Sequence, residues 1–539
     1  MSETLKEKTA KGLLWGGLNS TVQQLLGIVF GIILARRLNQ SDFGMIAMIT
    51  IFQLIGNDLQ NSGFKVALAN LRQPTDRDYN SVFWFNILMG GSLYVLLFLC
   101  APLIASFYHI PSLTPLARYA FLSIVFASFG TAQSAWLFKN LRAKQQAKAG
   151  MMAVLISSSV AVVMAYMGFA YWALATQTNL YILLCTLFYW YYSSWRPTIR
   201  EFKIQGPSDG SRVQGSRVQQ RSIFHSPFSI INLDVLRPAL RMFRFSVKLL
   251  ISQVLTDINN NVLNILLGRF YGRHDTGNYN QAFQWSTKGS NIIQNMVQQV
   301  AQPVLVSVDD EHERQLRVLR KMMRFAAFLS FPLLFGLSLV SHEFIVTLLG
   351  EKWAESANYL RWLAIGSAFL PLSTLLANVV ITKGRSNIFM YVNLALALCQ
   401  TATMLAIYHF QISLPFSKGV GVGSPLYTMV IAFVALTILW FFVWAFFARR
   451  LAGYRFTLLM RDVLPFLFAA AAVMLVTGFI TVRLFSPPYG GGAGVGLLLS
   501  RIIIAALLYY VVMRLFRVEI LNECLRFLNF KGYKGNKGE

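Results

Sequence analysis

Residues 278–303 read NYNQAFQWSTKGSNIIQNMVQQVAQP, a polar run inside a chain dominated by long apolar segments. Its polar residues are ordered. Gln281, Gln284, Lys288, Asn291, Asn295 and Gln298 recur at alternating three- and four-residue steps, the spacing that places side chains on one face of an α-helix. Met296, Val297 and Val300 supply apolar neighbours on other faces. Taken alone, such a stretch reads as a surface helix of a soluble domain. Its surroundings decide otherwise.

Of 539 residues, 55% are apolar and 13% charged, and the mean hydropathy is +0.51, which excludes an ordinary soluble globular protein. A bilayer is crossed by about 20 mostly apolar residues. About fourteen segments of that kind lie between residues 13 and 515. Their centres fall near Ile28, Phe52, Leu93, Ile124, Val160, Leu183, Val254, Asn291, Leu333, Ala368, Ala395, Val434, Ala472 and Ala505. The expected fold is an all-α polytopic membrane protein of about fourteen transmembrane helices. Little chain remains for a soluble catalytic domain.

The net charge of +26 would suggest nucleic acid in a soluble protein, but its placement gives a better reason. With the N-terminus inside, the even-numbered connections carry the cations: Lys65, Arg72 and Arg77, then Lys139, Arg142, Lys144 and Lys148, then the stretch 196–244. Arg314, Arg317, Arg320 and Lys321 follow, then Lys383 and Arg385, then Arg449, Arg450 and Arg455, and finally the basic tail. The odd-numbered connections are poor in cations apart from Arg36, Arg37, Arg269, Arg273, Lys352 and Lys418. This is the positive-inside pattern, with both termini cytoplasmic and no nucleic-acid partner. Parity then requires that 278–303 cross the membrane. If it did not, every later basic loop would face outward.

Cys100, Cys185, Cys399 and Cys524 are too dispersed to suggest a disulfide framework or a metal site. The N-terminal MSETLKEKTAKG lacks a small-residue cleavage site, so the first apolar segment reads as a retained helix. Residues 206–222, GPSDGSRVQGSRVQQRS, read as a flexible cytoplasmic tether. Residues 234–248 read as a basic amphipathic helix on the inner leaflet. The expected organisation is an N-lobe at 1–200, the linker and amphipathic helix at 201–243, a C-lobe at 244–448, and two further spans with a basic cytoplasmic tail at 449–539.

The two lobes look related. ILARRLNQSDFG at 33–44 aligns with LLGRFYGRHDTG at 266–277 at a constant offset of 233 residues. Ala35 meets Gly268, Arg36 meets Arg269, Asp42 meets Asp275 and Gly44 meets Gly277. The match sits between the first two spans of each half, as a parallel internal repeat would place it. The same offset sets Gln24 opposite Asp257 and Asp58 opposite Asn291, so the polar helix is the counterpart of the polar second span.

Charge inside a membrane costs about 2.5–3.5 kcal/mol per residue at a helix centre on insertion scales, so Asp58, Asp257 and Lys288 head the candidates. Gln253, Asp257, Asn260, Asn261 and Asn264 share a face of the seventh span. With Gln24, Asn57 and the 281–298 stripe they would line a hydrated path between the halves. The bland alternative is that the amides only bond helix to helix.

Enzymatic chemistry has little support. His109, His225, His274, His312, His342 and His409 lie at loops or helix ends without a HExxH pair. His342 and Glu343 read as an interfacial pair. The acidic run at 309–311 reads as an N-cap, and the glycines at 490–496 lack the GK[ST] of a P-loop. No catalytic residue, resident metal or cofactor is expected.

ILARRLNQSDFGMIAM at 33–48, APLIASFY at 101–108, QPVLVSVDDEHERQLRVLRKMMRF at 302–325, FPLLFGL at 331–337 and LLGEKWAESANYLRWLA at 348–364 resemble the polysaccharide flippases of the multidrug/oligosaccharidyl-lipid/polysaccharide exporter superfamily. The colanic- and teichuronic-acid exporter branch is the nearest in look, and the likeness runs over residues 8–450. The 204–225 linker departs from the pattern. Relatives that flip peptidoglycan precursor use arginines in the first two spans, where this chain offers Gln24 and Asp58, so that site is not carried over.

The resemblance implies two parallel-repeat six-helix lobes plus two C-terminal helices in a bacterial plasma (inner) membrane. It also implies alternating access, and an undecaprenyl-diphosphate-linked oligosaccharide as cargo for surface polysaccharide assembly. Membrane lipids and a polysaccharide polymerase are its candidate partners. The residues fit such a cargo independently. Amides match sugar hydroxyls; Lys288, with Lys65 and Lys248 nearer the cytoplasmic mouth, would meet the diphosphate. Asp257 and Asp58 are candidates for proton or sodium coupling. A cation-coupled small-molecule or multidrug exporter is the alternative, and a membrane glycosyltransferase or polymerase stands behind both.

Overall fold

The computed structural model describes residues 5–61, 63–64, 68, 71, 74–198, 237–307, 312–412, 425–485, 494–516, 518 and 520–521. Among them the chain is helical, without a strand. Two helices, α1 (Leu5–Arg37) and α2 (Gln40–Asn61), precede the long α3 (Asp76–Tyr108). Three short pieces follow, α4 (Leu113–Ala120), α5 (Leu122–Ser128) and α6 (Thr131–Lys139), then α7 (Ala143–Tyr166) and α8 (Tyr171–Tyr192). Beyond the linker come α9 (Arg237–Phe270), α10 (Gly272–Ser307), α11 (His312–Leu339) and α12 (Ser341–Leu349). A 3₁₀ turn (Glu351–Trp353) leads to α13 (Ala354–Ser367), α14 (Leu370–Thr382), α15 (Ser386–His409), α16 (Pro425–Ala452), α17 (Phe456–Phe485) and α18 (Gly494–Leu515).

Among the described residues eight helices are long and apolar enough to cross a membrane, nine if α4–α5 and α6, bent by 43°, form one span. The expectation was about fourteen spans. The difference has a physical source. Helices α1, α2, α8, α9 and α10 have at least 22 residues each, about 33 Å at 1.5 Å per residue. They are long enough, but amides, serines and aromatic residues dilute their apolarity. The segment expected near Ile124 is broken at Gly130, where a Cβ would come within 2.7 Å of Thr186 Oγ1. The segment centred on Ala368 is one of the eight, counted over Glu351–Thr382 although its helix is interrupted between α13 and α14.

The chain packs as two units, one of residues 1–31 and 49–254, the other of 32–48 and 255–539. In the first, α2 is bonded to its neighbours by amides. Gln53 Nε2 donates to Ser123 Oγ at 2.7 Å and to the Ala120 carbonyl, while Gln60 Nε2 donates to Asn86 Oδ1 and Thr131 Oγ1, both at 2.9 Å. A core of Phe64, Tyr79, Phe83 and Trp195 takes in Ala239 and Met242 from the start of α9. The expected separate amphipathic helix at 234–248 is therefore different in form. From Arg237 it is continuous with α9, and Ala239 N–H donates to Ser81 Oγ at 3.0 Å. No helix breaker follows Pro238, which sits in the first turn where it is tolerated. The tether at 206–222 and the start of that stretch lie outside the described residues.

The second unit is built on a core that includes Phe331, Leu372, Phe441, Trp444 and Tyr454. The two sequence blocks ARRL and LLGEKW interlock in it. Arg36 reaches the end of α12, donating through Nε to the Leu348 carbonyl and through a terminal nitrogen to that of Thr347, each at 2.7 Å. Lys352 answers at the end of α1, donating to the carbonyls of Arg36 at 2.9 Å and Leu38 at 2.6 Å. Trp353 Nε1 donates to the Ala35 carbonyl at 2.9 Å. Each cation thus satisfies carbonyls that a helix C-terminus leaves open, with the favourable sign for the helix dipole.

The internal repeat has a local structural counterpart. Helices α1 and α9 end at Arg37 and Phe270, 233 residues apart. A Cβ on Gly44 would collide with the Arg273 carbonyl, and a Cβ on Gly277 would collide with that of Gln40. Gln40 and Arg273 are themselves 233 residues apart, as are the two glycines. The contact is reciprocal, as a local two-fold relation between the repeated helix starts demands. Only the missing Cβ lets the backbones approach so closely.

Candidate functional site

The polar run lies within the continuous 36-residue helix α10. Tyr279, Ala282, Ser286, Ser290, Ile293 and Val297 are buried, and the helix packs on α11, α13 and α14. At 3.6 residues per turn this buried row lies roughly 170° around the helix from the 281–298 stripe. Small and apolar residues make most of this packing, joined near the helix start by Asn278, which bonds to Glu355 and Ser356 on α13. Gly289 fits closely here, since a Cβ would sit 2.9 Å from a Leu334 methyl.

Along the stripe exposure rises with sequence. Gln281 is only 3% exposed, Gln284 and Lys288 are half-buried, and Asn291 and Asn295 are exposed. The side chain of Gln298 lies outside the described residues. Lys288 Nζ stands 4.6 Å from the centroid of the Trp285 ring, a cation–π contact at helical i, i+3 spacing. Trp285 is buried and packs edge-on against Phe344 at 5.1 Å. Trp285 is the contributor that the amide pattern alone did not single out; its position three residues before the lysine was the available signal.

On α9, Asp257 is half-buried and Asn261 buried. Asn261 Nδ2 donates to the Asp257 carbonyl at 2.9 Å, and Asn264 Nδ2 donates to Asn261 Oδ1 at 3.4 Å. The same helix uses one amide for packing, with Asn259 donating to the Asn393 carbonyl at 3.1 Å. In the first unit Gln24, Asn57 and Asp58 are half-buried. Asn57 shares the face of Gln53 and Gln60, and its Oδ1 is buried without a hydrogen bond among the described residues. Helix-to-helix bonding thus accounts for Gln53, Gln60 and Asn259. Lys65 and the side chain of Lys248 lie outside the described residues, as do the acidic run 309–311 and most of the glycine turn.

Among the described residues the ligand atoms of His274, Asp275 and Glu355 lie within 4.8 Å of one another. Glu355 accepts from Asn278 Nδ2 at 2.7 Å and Asp275 faces His274 Nδ1 at 3.1 Å. These groups are engaged with protein, and no ion is assigned to them. Glu343 pairs with Arg501 at 2.6 Å.

The described residues are helical, with repeated helix pairs, an amide face carrying a lysine, and eight or nine helices long and apolar enough to cross a membrane, which defines a polytopic membrane protein. Its fold is similar to that of a multidrug resistance MATE family transporter of the MOP superfamily, solved in an inward-facing conformation. The match has a TM-score of 0.57 at 15% identity and covers 80% of this chain and 96% of that one. A MATE protein in complex with MaL6 is similar with a TM-score of 0.50, 15% identity, and 83% and 97% coverage.

Residues 33–206 and 223–358 match the family described as polysaccharide biosynthesis protein, and the chain belongs to that family. Teichuronic acid biosynthesis protein TuaB of Bacillus subtilis (strain 168) is 28% identical over 344 residues, 64% of each chain. Lipopolysaccharide biosynthesis protein WzxC of Escherichia coli (strain K12) is 22% identical, covering 71% of this chain and 72% of that one. Succinoglycan biosynthesis transport protein ExoT of Rhizobium meliloti (strain 1021) is 23% identical over 69% of each.

Proposed function

We propose that this protein is a flippase, not an enzyme, that moves undecaprenyl-diphosphate-linked oligosaccharide repeat units from the inner to the outer leaflet by alternating access. The observation that carries the proposal is the row Gln284, Lys288, Asn291 and Asn295, half-buried to exposed on the side of α10 away from the row buried against α11, α13 and α14. Membership in a polysaccharide biosynthesis family supports it, as do relatives named for transport and for teichuronic acid and lipopolysaccharide synthesis.

Glutamine and asparagine offer both donors and acceptors, which sugar hydroxyls require. Lys288 supplies a fixed cation for the diphosphate, and the lipid tail stays in the bilayer. In this reading fourteen spans form two six-helix lobes and a C-terminal pair. Both termini are cytoplasmic, the membrane is the bacterial inner membrane, and a polysaccharide polymerase receives the product.

An inside-negative potential favours outward movement of an anion by about 2.3 kcal/mol per charge per 100 mV. Exchange of protons or sodium through Asp257 or Asp58 would add to that drive. The fold likeness to multidrug transporters keeps a small-molecule exporter as the second reading. The deciding experiment uses Lys288→Ala in cells that depend on this protein for surface polysaccharide. Loss of polysaccharide with normal protein levels supports the diphosphate role, and normal polysaccharide excludes it. Drug resistance conferred by the wild type without any effect on polysaccharide would favour the second reading.

A further inference from the structure

Helices α17 and α18 lie beyond the repeat, and the second unit holds a cavity of about 840 Å³ along them, within the size range of small-molecule sites. Its walls are apolar side chains such as Ala472, Val476, Leu508 and Val512, and its two ionisable lining residues are Arg324 and Arg461. The cavity opens sideways, since Phe468 on α17 is 63% exposed and Phe516 at its lower rim 76%. From Pro465 to Val476 the apolar wall of α17 runs about 16 Å at 1.5 Å per residue. That is close to half of a hydrocarbon core about 30 Å thick.

The cationic end is built, not incidental. Asp462 is 2% exposed and accepts from two nitrogens of Arg320 at 2.7 and 3.0 Å and from the Tyr454 hydroxyl at 2.9 Å. Burial pushes the Tyr454 phenol well above its ordinary range, so it remains a donor. Arg324 Nε stands 3.6 Å from Oδ1, the oxygen that Tyr454 does not reach. One buried carboxylate therefore faces two guanidiniums, and Arg461 adds a third positive charge at the mouth. An apolar trough one leaflet deep, with guanidiniums at one end, matches a phosphate head and acyl chains.

We propose that this trough is a binding site for an anionic phospholipid of the surrounding leaflet, with its phosphate between Arg324 and Arg461 and its chains along α17 and α18. It is separate from the stripe on α10 and does not depend on the cargo. A chain of undecaprenyl length far exceeds the trough's depth, which favours a leaflet phospholipid over the tail of the proposed cargo.

The test uses the full-length protein in nanodiscs with a photoactivatable phosphatidylglycerol, followed by mapping of the labelled peptides. Label is expected in 461–476 and 508–520, competed by unlabelled phosphatidylglycerol several-fold better than by phosphatidylcholine. Arg461→Ala, an exposed position that leaves the Asp462 network in place, should lower labelling about fivefold, corresponding to ~1 kcal/mol per cation near an anionic lipid surface. Ala472→Phe should lower it by filling the trough. Equal labelling by a zwitterionic probe would overturn the proposal, as would indifference to Arg461→Ala. So would stronger competition from undecaprenyl diphosphate or from inorganic phosphate.

Discussion

Lys288 rests over Trp285, three residues earlier on α10, and this pairing sets what each substitution should do. A desolvated cation–π contact contributes about 2 kcal/mol, so the ring holds the ammonium at a fixed place on the stripe. Lys288→Ala is expected to abolish export, whereas Lys288→Arg keeps the charge and should retain part of it. Trp285→Phe, which preserves a ring but weakens the contact, should give an intermediate loss. Equal export by all three variants, measured as surface polysaccharide per cell at matched protein levels, would remove Lys288 from the path. A different residue-scale prediction concerns stability. Asp462→Asn breaks a buried pair with Arg320, a change that costs about 3–5 kcal/mol in such settings. The purified variant should unfold at a clearly lower temperature, and an unchanged melting curve would show that the carboxylate is not needed there. Lys288 stands out in the sequence because its neighbours repeat with the helical period. The Asp462 network does not, because its partners lie 142 residues apart and no local pattern joins them.

At the scale of elements, the reciprocal contact of Gly44 and Gly277 is the most exacting packing in the second unit. Gly44→Ala and Gly277→Ala should each destabilise strongly, because the new methyl meets backbone that has no rotamer to change. The double variant should cost less than the sum, since either methyl alone already forces the same helix starts apart. Additive losses in thermal melts would mean the two contacts are independent. Arg36→Met and Lys352→Met remove cations from helix C-termini and should cost less, about 0.3–1 kcal/mol each and up to ~2 where partly buried. The repeat announced these glycines through the constant offset, and the helix ends follow it. The bend at Gly130 was not legible, because a bent span and a straight one share the same apolar composition. The start of α9 reads as basic and amphipathic, and the structure adds that from Arg237 it is continuous with the span, with Ala239 and Met242 buried against protein.

For the whole molecule, charge placement predicts both termini and every basic loop on the cytoplasmic side. Single cysteines at 314, 385 and 455 in a cysteine-free background should resist a membrane-impermeant maleimide in intact cells and react after permeabilisation. Labelling of all three in intact cells would mean that α10 does not cross. Composition established the class of protein, and the amide stripe suggested its cargo chemistry. The number of crossing helices was less legible, because the helices that carry polar faces fail a purely apolar criterion. Purified protein in vesicles loaded with undecaprenyl-diphosphate oligosaccharide on the inner leaflet tests the central claim most directly, read as sugar accessible to an external lectin. Wild-type protein should expose the sugar, faster with an inside-negative potential, and Lys288→Ala should not. Exposure no faster than in protein-free vesicles, or equal exposure by Lys288→Ala, would contradict the account.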